Sequence, residues 1–442
     1  MNEPTTIYQR PAELLRDLIR FDTTNPPGNE AECIRYIQEH LHSLGIETRL
    51  YEKVAGRPNL IARLPGDGDA PPLLLQGHVD VVPTTNQNWT YPPFSGETVD
   101  GMLWGRGTLD MKGGDAMMIA AFLRAKAENA RLPGDVILCM LSDEETGGDM
   151  GAKFLVEEHP EIFDGVKYAI GEFGGFTMRM GGKTFYPIMV SEKQVCWMRM
   201  TFYGPGGHGS SPLRGPHAAT AKLGQVLTTL NTRRLPVHIT PEMEVMLGTL
   251  AEELPEPSSS MIAGLMNPAT TDATLDQMGA GGRMFDSLLH NTVSPNIISG
   301  GDKINVIPSA IELQLDGRLL PGFTPDQMMA EVRDLIGEEC ELELIRHDAG
   351  THLPNMALFD TLASVLKEAD AAGTPIPMLL PAVTDARFFA RLGIQTYGFL
   401  PMRLPEDLDF MSLIHAADER IPAETVAFGA EMVYQALLRF HE

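Results

Sequence analysis

Acidic and imidazole side chains stand at the ends of short apolar segments of this sequence. The segment LLLQG is followed by His78 and Asp80, and the segment VILCMLSD is followed by Glu144 and Glu145. Residues two apart on a strand point to the same side, so Asp80 is placed to accept the second N–H of a metal-bound His78. Consecutive side chains diverge, so one glutamate can bind a metal ion while the other holds a water molecule for hydrolysis.

Three further residues complete a set of metal ligands, namely Asp110 in GRGTLDMKGG, Glu172 after KYAIG, and His415 in LIHAADERIP. An Asp before a helix is usually an N-cap. The glycines on both sides of Asp110, however, allow unusual backbone angles, which can direct its carboxylate into a site. Two histidines and three carboxylates, without a thiolate, suit zinc and also cobalt or manganese. Five ligands are too many for one open zinc site but fit two ions that share a bridging carboxylate.

The elements that must position these residues are typical of an α/β sheet. Short apolar strands are predicted at 59–64, 72–76, 135–141 and 167–170, and helices at 11–19, 30–44, 112–129 and 152–158. Strands that alternate with helices indicate a sheet covered on both faces. Ligands of such sheets bind at strand ends, where the acidic residues of this sequence lie.

The pattern changes near residue 192 and changes back near residue 321. Strands are predicted at 195–203, 291–298 and 309–319, with a helix at 216–230, and later helices at 325–335, 356–371, 384–392 and 423–438. We therefore predict a catalytic domain formed by 1–192 and 321–442, interrupted by a smaller α+β domain at 193–320. Residues 240–291 are rich in Met, Pro, Gly and Ser, and no structure is predicted for them.

Composition limits the class of protein. A chain of 442 residues predicts two cores, and a net charge of -25 at pH 7 disfavours binding to nucleic acid or anionic membranes. The sequence has no apolar run of membrane-spanning length, its N-terminus has no signal-peptide pattern, and its four cysteines form no CxxC pair. We expect a cytoplasmic protein that acts on a small molecule or short peptide.

The ordered set of motifs resembles the M20 family of metallopeptidases, which contains deacylases and peptidases. The matching segments are GHVDVVP, GRG, DMKGG, EETG, GE at 171–172, HGSSP around His208, and His415 with Glu419. The resemblance implies two zinc ions, one bound by His78, Asp110 and Glu172 and the other by Asp110, Glu145 and His415. It also implies that Asp110 bridges them, that Glu144 is the catalytic base, and that the peptide between Asp110 and Met111 is cis.

The same resemblance assigns the inserted domain as a lid and dimerisation domain. It implies that His208 reaches across a homodimer to stabilise the oxyanion of the reaction, although a polar turn residue is the alternative. Asn305 and Arg318 resemble the pair that meets the carboxylate of the substrate, and a surface ion pair is the alternative for Arg318. The segment TDAR at 384–387 resembles one that lines the site, and helix capping explains it nearly as well.

We therefore expect a two-zinc hydrolase that cleaves an amide bond in N-acyl amino acids or small peptides with a free carboxylate. A dipeptidase or carboxypeptidase rather than a deacylase is one alternative, and a non-catalytic metal-binding homologue is another. A two-metal phosphoesterase is disfavoured, because no basic cluster flanks the motifs. Many deacylases of the family continue with Pro-Thr where this sequence has Phe173 after Glu172, which leaves the acyl group and the amino acid open.

Overall fold

The computed structural model describes residues 6–337, 340–350 and 354–441. These residues form two compact units. Unit 1 comprises Met1–Val190, Pro354–Met378 and Thr384–Glu442, and unit 2 comprises Ser191–Leu353 and Leu379–Val383. Within the described ranges, no helix combines the length and the apolar character that crossing a membrane requires.

The elements follow one another in three stretches of chain. The first contains α1 (Pro11–Ile19), α2 (Ala31–Ser43), β1 (Thr48–Glu52), β2 (Pro58–Leu64), β3 (Leu73–His78), β4 (Glu97–Val99), β5 (Met102–Trp104), α3 (Lys112–Ala127), β6 (Val136–Leu141), α4 (Ala152–Glu158), β7 (Tyr168–Gly171), β8 (Met178–Met180) and β9 (Lys183–Glu192). The second contains β10 (Gln194–Tyr203), β11 (Gly207–His208), α5 (Ala219–Thr232), α6 (Pro241–Glu253), α7 (Ser258–Leu265), α8 (Thr271–Met278), α9 (Arg283–Leu289), β12 (Thr292–Ser299), β13 (Val306–Ile307), β14 (Ala310–Leu319), α10 (Pro325–Ile336) and β15 (Glu341–Asp348). The third contains α11 (Ala357–Ala369), β16 (Thr374–Leu380), α12 (Ala386–Phe389), β17 (Gln395–Gly398), α13 (Phe410–Leu413), β18 (Arg420–Pro422) and α14 (Ala423–Leu437).

The main sheet of unit 1 is mixed, with the strand order β1-β2-β6-β3-β7-β17-β9-β16. Strands β6, β3, β7 and β17 are parallel, whereas β1 with β2, β2 with β6, and β17 with β9 are antiparallel. Every residue of β3 and β6 is buried, because helices α1, α3 and α14 cover one face and α4 and α12 the other. The predicted α/β class, with a mixed sheet between helices, is confirmed.

Unit 2 is built on an antiparallel sheet with the strand order β12-β14-β10-β15. Residues of β14 alternate between buried and half-buried, as expected where helices cover one face of a sheet, and α5 and α10 supply that cover. The predicted insertion ended at residue 320, whereas α10 and β15 belong to unit 2, because β15 pairs with β10. Helices α6 to α9 occupy most of 240–291, where the sequence predicted no structure.

Candidate metal centre

The carboxyl ends of three parallel strands meet at one edge of the main sheet. His78 is the last residue of β3, and Glu172 follows Gly171 at the end of β7. Glu144 and Glu145 lie in a short 3-10 helix that begins three residues after β6. Ligands of α/β sheets collect at this kind of edge, so the order of the strands alone brings these side chains together.

The carboxylate of Asp110 lies between two groups of potential ligands. Its Oδ1 is 3.3 Å from Nε2 of His78, which is 3.7 Å from Oε2 of Glu172. Its Oδ2 is 3.0 Å from Nε2 of His415, which is 3.4 Å from Oε2 of Glu145. Within each group the ligand atoms all lie within 4.8 Å of one another. The structure thus brings the five predicted ligands together as two groups that share Asp110.

Glu144 belongs to neither group. Its side chain is 13% exposed, and its Oε1 lies 4.0 Å from Nη1 of the buried Arg387. Burial, followed by the nearby charge of Glu172, raises the pKa of Glu144 well above its ordinary value. A carboxylate with a raised pKa is a stronger base than an ordinary one, which is a property that a general base uses.

A buried carboxylate, Glu419, holds the loop that carries Asp110. Its Oε1 accepts the N–H of Leu109 at 2.7 Å and that of Asp110 at 3.2 Å. Its Oε2 accepts the N–H of Gly107 at 3.1 Å and a bond from Nη1 of Arg106 at 2.5 Å. Glu419 matched a motif of the family without an assigned role, and the structure shows that it fixes this backbone.

The chain around Asp110 departs from the geometry of an ordinary helix start. The peptide between Asp110 and Met111 is cis, as the resemblance implied. Met111 rather than Asp110 is the N-cap of α3, so the capping alternative for Asp110 does not apply. A Cβ on Gly113 would lie 2.1 Å from the carbonyl oxygen of Thr108, so only glycine permits this close approach.

The carboxylate of Asp80 holds the turn after β6. Its Oδ1 accepts the N–H of Glu144 and its Oδ2 that of Glu145, both at 3.1 Å. We predicted that this carboxylate would accept from His78, but Nδ1 of His78 lies 3.0 Å from the backbone carbonyl of Asp80 and 3.6 Å from Oδ1. The difference arises because the oxygens of the Asp80 carboxylate accept the backbone N–H groups of the turn instead. A carbonyl only accepts, so Nδ1 carries the hydrogen and Nε2 stays free for a metal ion.

The carboxylates of the centre outnumber its imidazoles. Burial, together with the adjacent carboxylate of Asp110, raises the pKa of Glu145 to about 7, and burial also raises the pKa of Glu172. Hydrogen bonds to Asp110 and Glu145 raise the pKa of His415 to about 10. The cluster therefore retains protons at neutral pH, and divalent cations would replace these protons.

The donor atoms fit a pair of divalent metal ions. Nε2 of His78 and Oε1 of Glu145 are buried and have no hydrogen-bond partner among the described residues. A buried polar atom without a partner is costly, so a further group is expected to satisfy each of them. Imidazole and carboxylate donors without thiolates are the set that catalytic zinc, cobalt or manganese prefers.

Three residues at the centre adopt a left-handed backbone conformation although they are not glycine. These are Asp143 before Glu144 (φ 74°), Phe173 after Glu172 (φ 66°), and His415 itself (φ 62°). Such conformations cost free energy and concentrate at active sites, where the surrounding structure enforces them. At these three positions the backbone therefore turns sharply, which sets the direction of a proposed ligand or of the proposed base.

Two of the predicted substrate residues are neighbours in unit 2. His208 pairs with Val306 in the β11–β13 ladder, and the carbonyl of Asn305 accepts the N–H of Gly209 at 2.8 Å. The backbone N–H of Ser210 donates to Nδ1 of the exposed His208 at 3.2 Å. Nδ1 is therefore an acceptor, so the neutral imidazole carries its hydrogen on Nε2 and can donate from there.

The third, Arg318, lies on β14 and is bound to a neighbour. Its Nε donates to Oδ1 of Asp316 at 2.9 Å and its Nη2 to Oδ2 at 3.2 Å. This is the bidentate geometry in which arginine binds carboxylates. The ion pair left open for Arg318 by the sequence is thus present, and a substrate carboxylate would compete with Asp316.

The TDAR segment contributes two buried side chains beside Glu144. Arg387 donates from Nη1 to the carbonyl of Thr384 at 2.7 Å. Both carboxylate oxygens of Asp385 are buried without a hydrogen-bond partner among the described residues, and burial raises the pKa of Asp385 to about 7. Polar residues at the start of a helix are also typical of helix capping. The sequence alone therefore did not distinguish these buried side chains from a cap.

Comparisons with known proteins identify the family. Residues 74–439 match the sequence model of Peptidase family M20/M25/M40. Aminoacylase-1 of Sus scrofa is 24% identical over 437 residues, which cover 96% of this chain and 93% of that protein. The probable carboxypeptidase S-like 2 of Dictyostelium discoideum is 25% identical over 380 residues, which cover 80% of this chain and 69% of that protein.

A solved structure agrees in fold. The M20 family metallo-carboxypeptidase Sso-CP2 from Sulfolobus solfataricus has a TM-score of 0.65 and 18% identity, and the match covers 99% of each chain. Together with the match over residues 74–439, this confirms the resemblance inferred from the motifs. The chain belongs to Peptidase family M20/M25/M40 and is a hydrolase.

Proposed function

We propose that this hydrolase is a two-zinc enzyme that cleaves the amide bond of N-acyl amino acids or small peptides with a free carboxylate. His78, Asp110 and Glu172 would hold one ion, and Asp110, Glu145 and His415 the other, with cobalt or manganese able to replace zinc. One observation carries the proposal. The two oxygens of the Asp110 carboxylate face different groups of ligands, which is what a bridging carboxylate requires.

Each remaining residue has a task that its chemistry supports. Two cations bound here would polarise the substrate carbonyl and lower the pKa of a water molecule. Glu144, with its raised pKa, would take the proton of that water and return it to the leaving amine. Asp80 would keep Glu144 in place through the backbone of the turn. His208 would donate from Nε2 to the carbonyl oxygen as that oxygen gains negative charge.

The free carboxylate of the substrate would be bound in unit 2. Arg318 already holds a carboxylate, that of Asp316, in bidentate geometry, and Asn305 lies next to His208 through its backbone contact with Gly209. The likeness to aminoacylase-1 at 24% identity supports a deacylase. The likeness to a probable carboxypeptidase at 25% identity supports peptide cleavage as the second candidate.

We propose that the enzyme is a homodimer formed through unit 2. Strand β12 is an edge strand of its sheet, and Ile297 and Ile298 on it are each 54% exposed. Apolar edge strands favour pairing with another chain. We infer a reducing compartment, the cytoplasm, because Cys33, Cys139 and Cys196 are buried thiols.

The proposal is tested by metal content together with a panel of substrates. The purified protein is stripped with a chelator, reloaded with zinc, cobalt or manganese, and assayed on N-acetyl, N-succinyl and N-carbamoyl amino acids and on dipeptides. We expect activity to return as two ions bind per subunit, and to vanish for substrates whose carboxylate is amidated. Cleavage that ignores chelation would contradict the proposal. Metal binding without cleavage of any substrate would indicate the non-catalytic alternative.

A further inference from the structure

We propose that Asn25 is a positioning residue of the hydrolytic centre, and that its amide clamps the end of β3 to the turn that carries Glu144 and Glu145. Asn25 precedes residue 74, where the match to the family begins, so the match assigns it no role. The inference rests on the proposed function, because it concerns the geometry of the proposed base and ligands.

Backbone pairing places Asn25 beside Asp80. The N–H of Asn25 donates to the carbonyl of Val81 at 2.9 Å, and the N–H of Val81 donates to the carbonyl of Thr23 at 3.2 Å. The hydroxyl of Thr23 donates to the carbonyl of Val79 at 2.6 Å. The segment that contains Asn25 therefore runs along the chain that leaves β3, immediately after His78.

The Asn25 amide connects three side chains. Its Nδ2 lies 2.8 Å from Oδ2 of Asp80, 3.0 Å from Oγ1 of Thr146, and 3.1 Å from Oδ1 of Asp143. Asp80 belongs to the chain after β3, whereas Asp143 and Thr146 flank the two glutamates of the turn. Asn25 is 2% exposed and Asp80 0%, so water does not compete for these bonds.

A buried ion pair supports the far side of this clamp. Nη1 of Arg57 donates to Oδ1 of Asp143 at 3.0 Å, and Nε of Arg57 lies 3.1 and 3.2 Å from the two oxygens of Glu30. The three residues are 7%, 2% and 0% exposed in the order Arg57, Asp143, Glu30. A buried carboxylate needs such partners. Asn25 and Arg57 together hold Asp143, whose φ of 74° sets the direction in which the chain enters the turn.

The clamp acts on the reacting groups through Asp80. The carboxylate of Asp80 accepts one bond from Asn25 and two from the backbone of the turn, so these donors fix how it is rotated. Without Asn25, the carboxylate of Asp80 would lose its hydrogen bond to the segment between α1 and α2. Replacing a residue that orients a metal ligand or a catalytic group through hydrogen bonds typically lowers metal affinity or activity by roughly 10- to 100-fold.

The test compares Asn25→Ala with Asn355→Ala. The Asn355 amide donates to the Tyr168 hydroxyl at 3.0 Å and its Oδ1 accepts the N–H of Ala357 at 2.9 Å, so the control also removes a bonded asparagine. At saturating metal we expect Asn25→Ala to lower kcat by about 10- to 100-fold with KM within about twofold, and to weaken zinc binding about as much. Values of kcat and zinc affinity within about twofold of those of Asn355→Ala would overturn the inference.

A milder variant decides the matter if Asn25→Ala does not fold. Thr146→Val keeps the shape of the side chain but removes the hydroxyl that accepts from Asn25 and donates to Asp143. We expect it to lower kcat by about three- to tenfold in a protein that stays folded at the assay temperature, and Thr146→Ser to restore kcat, since one hydrogen bond is worth about 1 kcal/mol. An unchanged kcat in Thr146→Val would overturn the inference.

The clamp and the proposed function fail in different ways. If the metal-loaded wild-type enzyme cleaves no substrate of the panel, the proposed function fails, while the weaker zinc binding of Asn25→Ala still supports the clamp. If the wild type is active and Glu144→Gln is inactive, but Asn25→Ala behaves like its control, the clamp alone is wrong.

Discussion

The candidate metal centre of unit 1 and the candidate substrate residues of unit 2 are supported in opposite ways. Asp80 and Glu419 are fully buried, and Asp80 accepts two and Glu419 three backbone N–H groups from the chain that carries the proposed ligands or the base. In unit 2, His208 is exposed, and Arg318 is 26% exposed and bound by Asp316. Buried supports fix the geometry of a reaction, whereas an exposed partner can be exchanged for a substrate.

Replacing the proposed base should have the largest effect. Glu144→Gln keeps the shape of the side chain but cannot accept a proton, so we expect kcat to fall by roughly 10²- to 10⁴-fold while the metal content stays unchanged. Glu157→Gln is the matched control, because Glu157 pairs with Arg391 at the surface at 2.9 Å. Turnover and metal content are measured together. Substantial activity in Glu144→Gln would remove Glu144 from its role as base.

Breaking a buried support should destabilise unit 1 strongly. Arg106→Met leaves the carboxylate of Glu419 buried without its cation, so we expect the free energy of unfolding to fall by about 3–5 kcal/mol. Arg35→Met is the control, because its pair with Glu32 is exposed on both sides, and such pairs contribute less than about 1 kcal/mol. Denaturant unfolding compares the two variants. Equal losses would show that the buried pair supports unit 1 no more than a surface pair does.

Removing an exposed donor of unit 2 should lower turnover without destabilising the fold. His208→Ala removes the proposed donor to the oxyanion, so we expect kcat to fall by roughly 10²- to 10³-fold with melting temperature and metal content unchanged. Steady-state kinetics and thermal unfolding on the same preparation test this. A lower melting temperature that accounts for the lost activity would instead support the polar turn alternative for His208.

Mixed dimers test whether His208 serves the partner subunit. When His208→Ala and Glu144→Gln chains are mixed and allowed to exchange, about half of the dimers are mixed, and one site of each has both residues. Activity should therefore recover to about a quarter of the wild-type value. If mixing restores no activity, His208 does not act across a dimer.

The clustering of the proposed ligands was predictable where their positions follow from local rules. His78 and Glu172 stand at the ends of apolar strands, and the parallel order of β3, β6 and β7 brings such ends together. The contacts of Asn25 and Glu419 were not predictable, since Asn25 meets Asp143 across 118 residues and Glu419 meets Leu109 across 310. No spacing in a single sequence reveals contacts between segments that far apart.

The fold shows the same division between local and distant interactions. Helix α1 was predicted at its observed bounds, Pro11–Ile19, because Pro at its start and its apolar spacing are local signals. The end of the insertion was predicted at residue 320, but β15 pairs with β10, and pairing between distant strands leaves no local signal. Helices α7, α8 and α9 have only 7 or 8 residues each, which is too short for a clear period.

Zinc binding by the proposed ligands of unit 1 should depend on pH. The pKa of Glu145 is raised to about 7 and that of His415 to about 10, and both groups must lose a proton to bind a metal ion. Zinc therefore displaces protons from both groups below pH 7 and from His415 up to about pH 10. We expect the affinity to rise by at least about tenfold per pH unit from pH 6 to 8.

Calorimetry in buffers of different ionisation enthalpy counts the protons released on zinc binding. His208→Ala is the control in unit 2, and its pH dependence should match that of the wild type, because His208 is not among the proposed ligands. Zinc affinity that does not change between pH 6 and 8 would contradict proton displacement from Glu145 and His415.

The smallest expected effect has the opposite sign to the effects in unit 1. Removing the carboxylate of Asp316, which holds Arg318 in unit 2, should improve binding of the substrate. Asp316→Asn leaves Arg318 without its carboxylate partner but can still accept the bond from Trp197, which is 2.9 Å long. Exposed ion pairs contribute less than about 1 kcal/mol, so KM for a substrate with a free carboxylate should fall by at most about fivefold. Arg318→Lys should raise the same KM, and neither variant should gain activity on the amidated substrate. An unchanged or higher KM in Asp316→Asn would leave Arg318 as a surface ion pair and would place the substrate carboxylate elsewhere.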